Sequence, residues 1–138
     1  FNVEGELSLD KVNYRGTWDD YDTWGEKALQ KTIEVKSHPA NQWGLYEMHG
    51  NVWEWCQDWY ARYPVESVID PQGAEAGYES VLRGGSWSSV GEHSRSACRH
   101  QFDLSLHDDA VGFRLALGHA FSPVRAVQQP IGRHARKK

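Results

Sequence analysis

Two residue types in this chain could carry redox or metal chemistry, and neither is spaced for it. Cys56 and Cys98 are the only cysteines, enough for one disulfide or two free thiols and too few for a disulfide framework. A bridge would point to an exported domain, whereas free thiols are neutral about compartment. The histidines are His38, His49, His93, His100, His107, His119 and His134. No two form a His-x-x-x-His pair, and histidine binds metal only where several ligands converge. They read as surface or loop residues. Recognition is a second kind of chemistry, and Phe102 and Leu106 hint at it. Apolar groups without period in a polar stretch belong to a core or to an interface, although a long loop also needs anchors of its own.

The surrounding chain offers short strands and loops to hold these groups. Its 138 residues are 39% hydrophobic, enough for one domain with a modest core. Seven Trp, thirteen Gly and a mean hydropathy of -0.71 predict a loop-rich molecule built on a few large aromatics. A net charge of -4 provides no basic stripe, which argues against nucleic acid as a partner. No apolar run has the length of a membrane span or the layout of a signal peptide.

Along the chain, residues 1–42 carry turn formers around short apolar stretches, with the alternating Thr32–Lys36 as a candidate strand. Residues Asn51–Tyr60 predict a short helix or strand that buries Trp53, Trp55 and Trp59. Residues 61–79 form a loop, and Ser80–Arg83 a strand running into Gly84-Gly85, a pair that marks a tight bend or close backbone approach. Residues 88–111 are polar and aperiodic. Val111–Leu117 alternates as a closing strand. From Gly118 onward seven residues are Arg, Lys or His with no apolar period, which predicts a disordered basic tail. Arg133, Arg136, Lys137 and Lys138 there read as solvated charge.

Three blocks in order, NQWGLYEMHGNVWEWCQDWY (41–60), VLRGGSW (81–87) and VGFRLAL (111–117), resemble the signature of the formylglycine-generating enzyme (sulfatase-modifying factor) family. The resemblance covers roughly residues 10–117. It implies an α+β, C-type-lectin-like fold of short antiparallel strands and long ordered loops, spanning residues 1–117. Members normally carry an upstream half containing two helices. Nothing here matches that half, so the chain resembles the C-terminal part of such a domain, or one paired with a partner fragment.

In the family's enzymes, copper is held by two cysteines between the second and third blocks. Those positions fall on Gly91 and Ser96. A Ser hydroxyl is a hard, poorly ionised substitute for thiolate, and Cys98 lies two residues away from Ser96, so no copper is expected and no catalytic residue is assigned. The alternative is an enzyme, or enzyme subunit, performing metal-dependent oxidation near Cys98.

A further branch, the variable proteins of diversity-generating retroelements, is similar through the same interval without a gap. In that branch a rigid frame carries a hypermutated binding surface. Arg95, Ser96, Ala97, Arg99 and Asp103 match its frame. Its variable positions fall on Ser88, Ser89, Val90, His93, Cys98, His100, Phe102, Leu106, Asp108, Asp109 and Ala110. Mutated AAC or TAC codons still end in C and so cannot encode Glu, Gln, Lys, Met or Trp, a rule all eleven positions obey. The mixture of apolar, aromatic and polar groups suits a protein ligand. The resemblance therefore implies a non-catalytic binding module, with a non-diversified paralogue or an adhesive module of a secreted system as alternatives. A cell-surface or extracellular location fits that reading.

The resemblance also implies a structural calcium site at Glu47, the carbonyls of Gly50 and Val52, and Glu54. Two carboxylates and two carbonyls suit a hard cation. Glu47 stands where the family has a shorter Asn, and Asn13 lies where a second such site begins.

Overall fold

The computed structural model describes residues 7–116. The expected basic tail, residues 118–138, lies outside them. Four strands form one mixed sheet: β1 (Trp53–Trp59), β2 (Glu79–Arg83), β3 (His100–Asp103) and β4 (Val111–Gly112), in the order β3-β2-β1-β4. The first three are antiparallel neighbours, and β4 runs parallel to β1. One 3-10 turn, Gly91–Ser94, interrupts the segment between β2 and β3.

Several expectations change here. No α-helix occurs among the described residues, as follows from a sequence whose glycines and turn formers leave no sustained 3.6-residue period. The closing strand contracts to two residues, and Phe113 and Leu115 beyond it are 72% and 88% exposed. Of the three tryptophans in β1, only Trp53 is buried. Residues 88–111 contain β3, a strand that composition did not predict.

Thr32–Lys36 forms no strand. Its backbone groups are satisfied by side chains instead, since polar backbone needs partners somewhere. Asn51 brackets Ile33, accepting its N–H at Oδ1 (2.9 Å) and donating from Nδ2 to its carbonyl (3.3 Å). Asn13 donates to the Lys31 carbonyl, and Glu47 accepts the N–H groups of Lys36 and His38. Lys36 has φ +68°, which breaks the extended run that the alternation suggested.

The core is small: Val12, Tyr14, Trp53, Val81, Leu82, Val90 and Ala110. Buried polar groups knit it together. Asn51 N–H donates to the Asn13 carbonyl, Gly50 N–H to the Gly84 carbonyl and Trp53 N–H to the Ala110 carbonyl. Gly50 sits at φ +72°, and a Cβ there would overlap the Asn13 carbonyl oxygen, so only glycine fits. Gly85 fulfils the close-approach expectation, since a Cβ would stand 2.6 Å from Ser94 Oγ.

Candidate binding surface

The register of the sheet decides which residues share a face. Leu82 pairs with Trp55 on one side and His100 on the other, and Ser80 pairs with Phe102. Side chains alternate along a strand, so His100 and Phe102 project on the same side as Leu82. Trp53 joins them, meeting His100 edge-on at 5.4 Å between ring centroids and lying 6.4 Å from the His93 ring. Phe102 tilts against Trp55 at 6.0 Å.

The loop that follows GGSW is tied down at its start. Ser86 is completely buried; its N–H donates to Ser89 Oγ, and its hydroxyl lies 3.1 Å from Ser88 Oγ and 3.0 Å from Ser89 Oγ. The 3-10 turn is anchored by Gly91 N–H to the Thr17 carbonyl and Glu92 N–H to the Trp18 carbonyl. His93 Nδ1 lies 2.5 Å from Tyr21 Oη. Between β3 and β4, bonds are local: Asp103 caps the Ser105 N–H, and Asp108 Oδ1 accepts the Ala110 N–H at 2.7 Å.

The eleven residues assigned to a binding surface therefore divide. His100, Leu106, Asp108 and Asp109 are exposed, while Ser88, His93, Cys98 and Phe102 are half-buried. Ser89, Val90 and Ala110 are buried, Val90 completely, and these three belong to the frame instead. Ser89 is consumed by Ser86, Val90 packs in the core, and Ala110 supplies the carbonyl that receives β1. Ser88, His100, Phe102, Asp108 and Ala110 line one cavity of about 170 Å³ together with Trp53, Leu82, Ser86 and Val111. Sequence reasoning did not include the last four. The spacing of His100 and Phe102, two apart, was the available signal for their strand.

Cys56 and Cys98 are both free thiols. Burial pushes both above the usual thiol range, and for Cys98 the charges of Arg95 and Arg83 only partly oppose this. Neither is poised as a nucleophile. At Gly91, a Cβ would lie 2.8 Å from the Trp18 ring and 3.0 Å from Leu7 Cδ2.

Glu47, Gly50, Val52 and Glu54 do converge, on a separate cavity of about 220 Å³. Their side-chain oxygens already have partners. Both Glu54 oxygens accept from Arg114, with Nε at 3.0 and 2.9 Å and Nη2 at 2.6 Å from Oε1, and Nη2 also donates to the Glu47 carbonyl. The Glu47 carboxylate is engaged by the Lys36 and His38 N–H groups, and Lys36 lines the same cavity. The guanidinium thus already holds the Glu54 carboxylate, whereas calcium takes six to eight oxygens. Hydrogen bonding to Glu54 raises the already high Arg114 pKa, so its charge is permanent. Among the described residues no three His, Cys, Asp or Glu side chains are grouped to hold a metal. Asn13 donates from Nδ2 to the Lys31 carbonyl and to Asn51 Oδ1, while its own Oδ1 is buried without a hydrogen-bond partner.

No helix among the described residues is long and apolar enough to cross a membrane. The chain is 43% identical over 91 residues to serine/threonine-protein kinase pkn1 of Chlamydia caviae, covering 63% of this chain and 15% of that protein. It is 37% identical over 99 residues to the formylglycine-generating enzyme of Mus musculus, covering 69% and 27%. It thus spans less than a third of either relative. Among solved structures, Treponema denticola variable protein 1 superposes with a TM-score of 0.64 at 32% identity, over 82% of this chain and 37% of that one. This likeness supports the expected formylglycine-generating-enzyme-like fold, although the sheet is mixed where antiparallel strands were expected, since β4 runs parallel to β1. The profile of the sulfatase-modifying factor enzyme 1-like domain matches residues 1–118, and the chain belongs to that family.

Proposed function

We propose that this chain is a non-catalytic ligand-binding module, a variable protein of the diversity-generating-retroelement type. Its protein-binding surface consists of Ser88, His93, Cys98, His100, Phe102, Leu106, Asp108 and Asp109. The observation that carries this reading is the division within residues 88–110. Ser89, Val90, Ser94 and Ala110 are buried and lock the segment to the sheet, while the proposed contact residues are exposed or half-buried beside them. Function placed on a loop held by a rigid frame is the arrangement that tolerates side-chain exchange. The likeness to Treponema denticola variable protein 1 supports it.

Our reading includes no copper chemistry, and the local geometry supports this. The space a thiolate would need at position 91 is filled by Trp18 and Leu7, and Ser96 is an exposed hydroxyl. We read the Glu47–Glu54 cavity as neutralised by Arg114 without calcium. The partner is a protein, and the location is the cell surface or outside the cell.

The second reading, an oxidising enzyme, is favoured by the identity to formylglycine-generating enzymes. Sequencing codons 88–110 in independent isolates of the source separates the two. Substitutions confined to the proposed contact positions, with Arg95, Ala97 and Arg99 constant, are expected. An invariant or evenly drifting segment would return the search to an enzyme or a fixed-ligand paralogue.

A further inference from the structure

The cavity within this surface has a chemical bias of its own. At about 170 Å³ it is smaller than the several hundred Å³ typical of whole small-molecule sites, and is sized for a single side chain. Its floor is Leu82, fully buried, and Trp53, 7% exposed. Phe102 and His100 form its walls. Among the described residues, Asp108 is the only formal charge lining it, and no Lys or Arg does. Asp108 Oδ1 is bound by the Ala110 N–H, and no ion pair engages the carboxylate among the described residues.

We propose that this cavity is the anchor point of the surface and takes one long basic side chain, Lys or Arg, from the protein ligand. The inference rests on residues 88–110 being a binding surface. A methylene stem would lie against Leu82 and the aromatic rings, and its cationic head would meet Asp108. A cation gains both from the carboxylate and from the negative ring faces. An acidic side chain would meet Asp108 as a like charge, and a purely aliphatic one would leave that carboxylate unused.

The test is a titration of the 138-residue chain at neutral pH, followed by the ¹H–¹⁵N signals of the Trp53 indole and the His100 and Ala110 amides. The probe is N-acetyl-lysine methylamide, with N-acetyl-norleucine methylamide as the stem without the charge. Saturable shifts at these signals are expected with the lysine probe, and about fivefold weaker binding with norleucine. Asp108→Asn keeps an oxygen for the Ala110 N–H, so the fold should persist while the preference for lysine disappears. Equal binding of both probes, a preference that survives in Asp108→Asn, or shifts spread equally over Asp103 and Asp109 would overturn the anchor. If Asp108→Asn loses signal dispersion, Asp108→Ser, which keeps a short oxygen for the same N–H, replaces it with the same expectation. Codon variation confined to the contact positions without lysine binding would remove this inference alone. Lysine binding with invariant codons would leave the anchor as a fixed-ligand site and remove the diversified reading.

Discussion

Gly50–Glu54 and Arg95–Asp109 are both polar, glycine- or turn-rich stretches, yet their hydrogen bonds run in opposite ways. In the first, each link spans tens of residues: Gly50 to Gly84, Asn51 to Asn13, Ile33 and Trp87, Trp53 to Ala110, Glu54 to Arg114. In the second, outside β3 with its pairing to β2, most links reach no further than three residues: Arg95 to the Glu92 carbonyl, Asp103 to Ser105, Asp108 to Ala110. A segment whose turns are closed by its own neighbours can exchange its outward side chains without unsettling the rest. A segment whose polar atoms close distant loops cannot, because removing one partner leaves another buried and unsatisfied. The β3–β2 pairing, together with the long reach of Arg83 to the Ser96 carbonyl and of Arg99 to the Ala61 carbonyl, is what pins the second segment.

This contrast can be broken by substitution. Gly50→Ala should have the largest effect, about 3 kcal/mol or more in urea unfolding, because both the positive φ and the Asn13 carbonyl oppose a side chain. A loss under 1 kcal/mol, small for such a site, would mean that the frame yields as readily as the loop. Glu54→Gln should cost about 1 kcal/mol, discounted because Arg114 and Glu54 are 36% and 22% exposed. Added calcium should leave the unfolding midpoint of the unaltered chain where it was. A calcium-dependent rise would show that the ion displaces Arg114.

A weaker effect is expected from His49. Burial, opposed only partly by its 2.6 Å contact with the Ser94 carbonyl, depresses its pKa, so the unfolded chain binds the proton more readily than the folded one. Its contribution is complete above the ordinary histidine value and is lost as pH falls through that value towards the folded one. Urea midpoints should therefore drop between about pH 7.5 and about pH 5.5, and the drop should flatten in His49→Gln. An unchanged slope in that variant would assign the pH response to other groups. Smallest of all, Leu106→Ala in the loop should change stability by no more than about 0.5 kcal/mol. A larger cost would move Leu106, 54% exposed, from the contact surface to the frame.

The three sequence blocks were enough to assign the family and the positions of β1 and β2, because glycines and tryptophans with fixed roles leave marks that survive in one dimension. Gly85 is legible for that reason: only a residue without a side chain can approach Ser94 so closely. Tertiary structure alone decided the rest. It turned Thr32–Lys36 from a strand into a ribbon held by Asn13, Asn51 and Glu47, partners up to eighteen residues away that no alternation pattern encodes. It moved Ser89, Val90 and Ala110 inward, since codon type says nothing about which side of a loop a residue takes. It also set Arg114 on Glu54, sixty residues apart, so that two carboxylates suited to a cation by type already have one as a neighbour. Composition names the groups that can interact; which of them meet is settled by chain geometry.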